Sequence, residues 1–332
     1  MSAGAGVGAG VGASAQVLLR LQVRAIRMLA ERTHAFELAC PEGTPLPDVN
    51  AGAHVDIHLP GGLVRSYSLA GDPRDRSHWL LGVLRETDGR GGSRTLHDGV
   101  RVGDVLPVSA PRSAFQLVPG AAHTVLLGGG IGITPLKAMA HELAAQGASF
   151  ELHHCVRSPR HAAFAAELRA TVPAGRLHQH FDGGDPAQGL DIAALLARPA
   201  AGTHLYYCGP AGFMQACADA SRHWAPGSVH FEHFKPPAAL APATAEGGFE
   251  VLLARRGIRV QVEPEQTIVR AIELAGLRVP TSCLSGLCGA CKTDYLEGEV
   301  EHNDYILSDD ERQRCLTLCV SRSRSPLLVL DL

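Results

Sequence analysis

The chain carries nine cysteines in 332 residues, and three of them hold the most specific spacing in it. Cys283, Cys288 and Cys291 have four and two residues between them, and further cysteines follow at a distance. C-x4-C-x2-C…C is a spacing through which cysteine thiolates hold a [2Fe–2S] cluster. Such a loop must fold over two irons, with small residues where thiolates and bridging sulfides accept backbone N–H bonds. Ser282, Ser285, Gly286, Gly289 and Ala290 supply them. Zinc sites usually come as two separated C-x2-C knuckles, and only Cys288 and Cys291 form one here, so the spacing favours iron–sulfur. On distance alone the fourth ligand is either Cys315 or Cys319 of QRCLTLCVS. Cys40, Cys155, Cys208 and Cys217 read as buried small hydrophobes rather than ligands.

Three further groups can bind redox cofactors. Arg65-Ser66-Tyr67-Ser68 offers a guanidinium for phosphate, a ring for an isoalloxazine face and hydroxyls for its N5 edge. Gly91-Gly92-Ser93 can form an anion-binding nest of backbone amides. GGGIGITP, from Gly128 to Pro135, follows an apolar run and opens a helical pattern. Glycines there let a dinucleotide approach the backbone at a helix N-terminus, although the register departs from G-x-G-x-x-G. A second glycine-terminated strand ends at Cys208-Gly209-Pro210. None of the 17 histidines shows an obvious metal spacing, and His153 and His154, adjacent on one strand, must face opposite ways.

The elements that position these groups fall into three segments. Residues 16–118 read as a small antiparallel β-barrel, with VLLRLQVRAIRML, AHVDIHL, RSYSLAG, HWLLGVLR and DVLPVSAP as its strands. In residues 119–234 strand and helix alternate four times, the pattern of an α/β doubly wound parallel sheet, which binds ligands beyond the carboxyl ends of its strands. Residues 235–248 are a Pro/Ala/Gly linker, and residues 249–332 open with a hairpin, a short helix and then the cysteines. Residues 1–15 are almost all Gly, Ala, Ser and Val and read as a flexible tail without the basic start of a secretory signal.

Composition narrows the classes. Charged residues are 19% and hydrophobic residues 45%, which excludes a predominantly disordered chain. A net charge of -3 argues against a general nucleic-acid binder. No apolar run reaches membrane-helix length. The cysteines are not spread as in a small secreted scaffold, so a reducing, cytoplasmic setting is expected.

The motif sets and their order resemble the phthalate dioxygenase reductase family, which includes vanillate demethylase reductases, within the ferredoxin–NADP reductase superfamily. The resemblance spans residue 16 to the C-terminus. It implies a multidomain chain: an FMN-binding β-barrel, an NAD-binding α/β domain and a C-terminal α+β, β-grasp-like plant-type ferredoxin domain. It implies that Arg65, Ser66, Tyr67, Ser68, Gly91, Gly92 and Ser93 bind FMN, with Phe234 of HFEHF stacking near it. It implies further that Gly129, Gly130, Thr134, Cys208, Gly209 and Pro210 bind NADH, with Thr134 and Cys208 on the hydride path. The run CVSRS after Cys319 resembles the family's last ligand, which selects Cys319 over Cys315. The residues themselves leave NADH against NADPH open, because HHCVRSPR places Arg157, Ser158 and Arg160 where an acid would hold a ribose 2′-OH; the resemblance favours NADH.

The expected function is the reductase component of a two-component oxygenase or demethylase. It takes hydride from NADH onto flavin and passes single electrons through the cluster to a terminal oxygenase carrying a Rieske centre. The acids Asp294, Glu297, Glu299, Glu301, Asp304, Asp309, Asp310 and Glu311 follow the cluster motif with no Lys or Arg among them. They are either a solvated face or a surface that steers a basic acceptor to the cluster. The competing readings are an FAD-containing reductase for another acceptor, such as a diiron hydroxylase, and a redox carrier without NADH turnover.

Overall fold

The computed structural model describes residues 18–113, 115–236 and 248–332. The tail expected at 1–15, and all of the linker except its first two residues and its last, lie outside the described residues. The first sheet has six antiparallel strands: β1 (Leu19–Ala30), β2 (Thr33–Ala39), β3 (His54–Leu59), β4 (Leu63–Ser68), β5 (Trp79–Leu84) and β6 (Val105–Val108), in the order β4-β3-β6-β1-β2-β5. A bridge between Leu69 and Leu81 brings the two edges together, so the sheet curls into a barrel. Register shifts in β1 at Val23/Ala25 and Met28/Ala30 supply the bends that such closure needs. Alternate residues point inward, and Val23, Val55, Ile57, Val83 and Val108 are fully buried. Each such side chain contributes about 1.5–3 kcal/mol relative to exposure. Strand β2 lies outside the five strands that the sequence pattern predicts. Helix α1 (Gly92–Gly99) packs on the barrel core through buried Leu96.

The second sheet is parallel, ordered β11-β10-β7-β8-β9. Its strands are β7 (His123–Gly129), β8 (Phe150–Val156), β9 (Leu177–Phe181), β10 (Thr203–Cys208) and β11 (Val229–Glu232). Helices α2 (Ile133–Ala145), α3 (Ala165–Thr171), α4 (Ile192–Leu196) and α5 (Ala211–Ala220) cover it. This is the doubly wound layer arrangement expected. Barrel and sheet share a core: Ala35, Ala70 and Leu80 pack in one cluster with Leu136, Met139 and Phe164. Buried Lys137 of α2 donates to the carbonyl of Ala70 at 2.8 Å, which fastens the helix to the barrel.

The third unit is an α+β fold. Strands β12 (Phe249–Leu253), β13 (Ile258–Val262), β14 (Lys292–Glu297), β16 (Cys315–Thr317) and β18 (Leu327–Leu330) form its sheet, β13-β12-β18-β14-β16, with β15 (Val300–Glu301) and β17 (Arg322–Ser323) as a separate pair. β12 and β18 run parallel and α6 (Ile268–Leu274) packs across them, as in a β-grasp. A one-turn helix, α7 (Asp309–Arg312), begins with a Ser308/Glu311 capping box. Among the described residues no helix is long and apolar enough to cross a membrane.

Candidate functional site

The cysteine loop closes as its spacing requires. The amide of Cys283 points to the sulfur of Cys288 at 3.4 Å, that of Leu287 to Cys283 at 3.4 Å, and that of Gly286 to Cys319 at 3.3 Å. Amides aimed at sulfur favour thiolates over thiols, the form that iron needs. Cys319 reaches both Cys283 and Cys291. Cys315 instead sits in β16 and donates to the carbonyl of Glu311 at 3.1 Å, away from the loop. Gly286 has a φ of 70°, and a Cβ there would meet the Val320 side chain at 2.8 Å, so glycine is needed at that turn. The donor set and the amide cradle fit a [2Fe–2S] cluster. Leu284, at the tip of the loop, is 52% exposed. Of the other cysteines, Cys208 and Cys217 are buried as expected, whereas Cys40 and Cys155 are only partly so.

Strand β4 ends in a divided site. Arg65 and Tyr67 share one face, and Ser66 and Ser68 the other. Arg65 lies against the Gly91-Gly92 turn so closely that a Cβ on Gly92 would fall 2.3 Å from its side chain. No side chain caps the N-terminus of α1, which leaves the amides around Gly92 and Ser93 to a ligand. Guanidinium, free amides and helix dipole together fit a flavin phosphate. The Ser66 hydroxyl, expected to bind the flavin, is committed elsewhere: it donates to Asp56 at 2.7 Å and faces Ser282 of the cysteine loop at 3.4 Å. Asp56 is buried and held by Arg112 at 2.6 Å. The Ser68 hydroxyl donates to Glu232 at 3.3 Å.

The two glycine-terminated strands meet. Gly128 is the register partner of Cys208, and a Cβ on Gly132 would lie 2.2 Å from the Cys208 carbonyl oxygen. A Cβ on Gly129 would strike Pro210 at 2.9 Å and one on Gly209 would strike Phe213 at 2.6 Å. Glycine is therefore the only residue that lets these turns approach. Thr134 is buried, its hydroxyl donating to the Ile131 carbonyl at 3.0 Å and its methyl facing Gly82 of the barrel. Burial drives the Cys208 thiol well above its usual range, so it stays protonated. Its strand partner Glu232, which sequence reasoning missed, is pushed up by burial to about 7, with Ser68 partly opposing. His54 lies 3.7 Å from Glu232, and burial holds it down at about 4. Phe234 follows β11 and is 38% exposed, so it is not a core strand residue. Arg157 and Arg160 are exposed beyond β8.

The cysteine loop is attached to the barrel. Arg90 donates to the Cys283 carbonyl at 3.1 Å and to the Ser285 hydroxyl at 3.3 Å. A cleft of about 340 Å³ lined by His54, Arg112, Cys288, Lys292 and Glu311 runs between the two units. Tyr305 meets His233 edge-on, with centroids 5.7 Å apart. The acids after the cluster motif separate into kinds. Glu301 and Asp304 are buried, Asp304 accepting from the amides of Ile306 and Leu307, and Glu311 pairs with Lys292 at 2.8 Å. Asp294, Glu297, Glu299, Asp309 and Asp310 are exposed.

Residues 251–324 match the model of the 2Fe-2S iron-sulfur cluster binding domain. Over nearly their whole lengths, two curated proteins are similar to this chain. The tert-butanol monooxygenase / tert-amyl alcohol desaturase reductase subunit of Aquincola tertiaricarbonis is 47% identical, covering 95% of this chain and 96% of its own. The vanillate O-demethylase oxidoreductase of a Pseudomonas species is 43% identical, covering 95% and 100%. The solved structure of phthalate dioxygenase reductase, described as modular for electron transfer from pyridine nucleotides to [2Fe–2S], superposes with a TM-score of 0.71 at 38% identity, covering 95% of this chain and 98% of that one.

Proposed function

The chain belongs to the family of phthalate dioxygenase and vanillate O-demethylase reductases, and from that premise we propose that it reduces a terminal oxygenase carrying a Rieske centre. It is an NADH-dependent flavin and iron–sulfur oxidoreductase, with FMN and a [2Fe–2S] cluster as its cofactors. FMN accepts a two-electron hydride and releases electrons singly, which is the exchange a one-electron cluster requires. Residues 16–118 bind FMN, 119–234 bind NADH, 235–248 connect and 249–332 carry the cluster.

In this reading Arg65 and the amides of Gly91, Gly92 and Ser93 neutralise the flavin phosphate, while Tyr67 and Phe234 shield the ring. The turns at Gly129, Gly130, Gly209 and Pro210 admit the nicotinamide because they carry little or no side chain. Thr134 and the protonated thiol of Cys208 close that space against water. Ser68, donating to Glu232, keeps its hydroxyl oxygen as an acceptor at the cofactor edge, and Glu232 holds a proton beside it near neutral pH. Cys283, Cys288, Cys291 and Cys319 ligate the cluster. The observation that carries the reading is the contact of Arg90 and Ser66, from the flavin barrel, with the cluster loop, since it sets donor beside acceptor. The decisive experiment is a visible spectrum of the purified protein before and after anaerobic NADH. Flavin and broad iron–sulfur bands should bleach together. A flavin that bleaches in protein lacking iron and sulfide would remove the oxygenase role.

A further inference from the structure

Away from the flavin, nicotinamide and cluster residues, one face of the parallel sheet gathers side chains that the electron path does not use. His153 on β8 and His178 on β9 are register partners, so they stand side by side. Their rings stack with centroids 4.6 Å apart. Glu151, two residues before His153, shares that face. Its carboxylate lies 3.6 Å from Nε2 of His153 and 3.9 Å from Nε2 of His178. The three prospective ligand atoms all fall within 4.8 Å of one another.

The second observation is a nitrogen with nothing to bond. His153 is only 5% exposed, yet its Nε2, aimed at Glu151, is buried without a hydrogen-bond partner. An orphaned buried polar atom costs about 1–3 kcal/mol. Its other nitrogen, Nδ1, lies 3.0 Å from Nε2 of His180. A proton on Nδ1 donated to His180 leaves the Nε2 lone pair directed into the space between Glu151 and His178. Metal-bound histidines are held by outer partners in the same way.

We propose that Glu151, His153 and His178 form a zinc site in the nicotinamide domain, with water in the fourth position and His180 orienting His153. Two imidazoles and one carboxylate are a set that zinc accepts tetrahedrally with one position open, whereas magnesium and calcium require oxygen ligands. Ligand atoms bound at zinc distances lie roughly 3.4 Å apart, so the carboxylate sits close to its bound separation from both imidazoles at 3.6 and 3.9 Å. The partly exposed His178 ring turns out of its stack on His153 to bring its nitrogen, now within 4.8 Å of the other ligand atoms, onto the ion. His178 is 40% and Glu151 30% exposed at the side chain, which gives the ion a way in. Zinc has no redox chemistry, so the site ties edge strand β9 to β8 rather than joining the electron path.

Equilibrium dialysis of the flavin- and cluster-loaded protein against Zn²⁺, with elemental analysis, tests this. One zinc should bind per chain in excess of the cluster iron. Glu151→Gln and His178→Gln, both on partly exposed side chains, should each weaken it at least tenfold while flavin and iron contents stay unchanged. X-ray absorption at the zinc edge should report a nitrogen/oxygen shell. Sulfur in that shell, zinc binding unaffected by both substitutions, or no saturable binding below about 1 mM would each overturn the site.

Discussion

Cys315 and Cys319 stand four residues apart, yet only the sulfur of Cys319 meets the loop of Cys283, Cys288 and Cys291. Cys319→Ser should therefore abolish the iron–sulfur absorbance and the acid-labile sulfide, whereas Cys315→Ser should retain both, since the serine hydroxyl can still donate to the Glu311 carbonyl. Glu232 permits a test by pH. In the fold its carboxyl titrates at about 7, against 4.5 for the free group, so between these values the folded chain binds more protons than the unfolded one. Its stabilising contribution is thus complete below about 4.5 and is lost as pH rises through about 7. Glu232→Gln should gain on the parent by up to about 3 kcal/mol between about pH 5 and pH 8, which denaturant unfolding followed by flavin fluorescence would read. The cysteine group was legible because three of its members lie within one loop. Glu232 was not, because its meaning comes from Cys208, Ser68 and His54, which three separate strands bring to it.

At the scale of elements, the two glycine turns of the parallel sheet meet backbone against backbone. Gly132→Ala would set a methyl against the backbone of Cys208 and Gly209, which cannot yield as a flexible side chain does. The expected cost is roughly 1–3 kcal/mol, with a raised KM for NADH and an unchanged iron content, measurable by thermal unfolding and steady-state kinetics. Most strands could be read from alternation. Strand β2 was lost because its hairpin turns at Glu31-Arg32, where Arg32 adopts a φ of 57° without the Gly or Asn that usually marks such a turn. The group of Glu151, His153 and His178 was invisible for a different reason. Its members come from two parallel strands whose neighbouring register no local spacing records. The face assignment of His153 and His154 did follow from alternation: His154 turns the other way and lies 3.1 Å from the Gly130 carbonyl.

At the scale of the whole molecule, the exposed acids stand apart from those the fold consumes. Charge reversal at Glu297 and Glu299 should slow reduction of the proposed oxygenase acceptor most strongly at low salt, where steering is least screened, and leave flavin reduction by NADH unchanged. Stopped-flow traces with and without the acceptor would separate the two; an unaltered rate would mark these acids as a solvated face. Arg90→Ala removes the bonds to Cys283 and Ser285. It should delay bleaching of the cluster band while the flavin band falls at its normal rate. The succession of barrel, parallel sheet and α+β unit followed from the strand and helix pattern and the motif order, but this contact did not, since it joins residues 193 positions apart. That tether has a consequence for timing. With the cluster loop moored to the barrel, the electron's internal crossing needs no swinging of one module toward another, and only the meeting with the acceptor depends on diffusion. Thickening the solvent with glycerol should therefore slow delivery to the acceptor in proportion to viscosity and leave the crossing from flavin to cluster untouched.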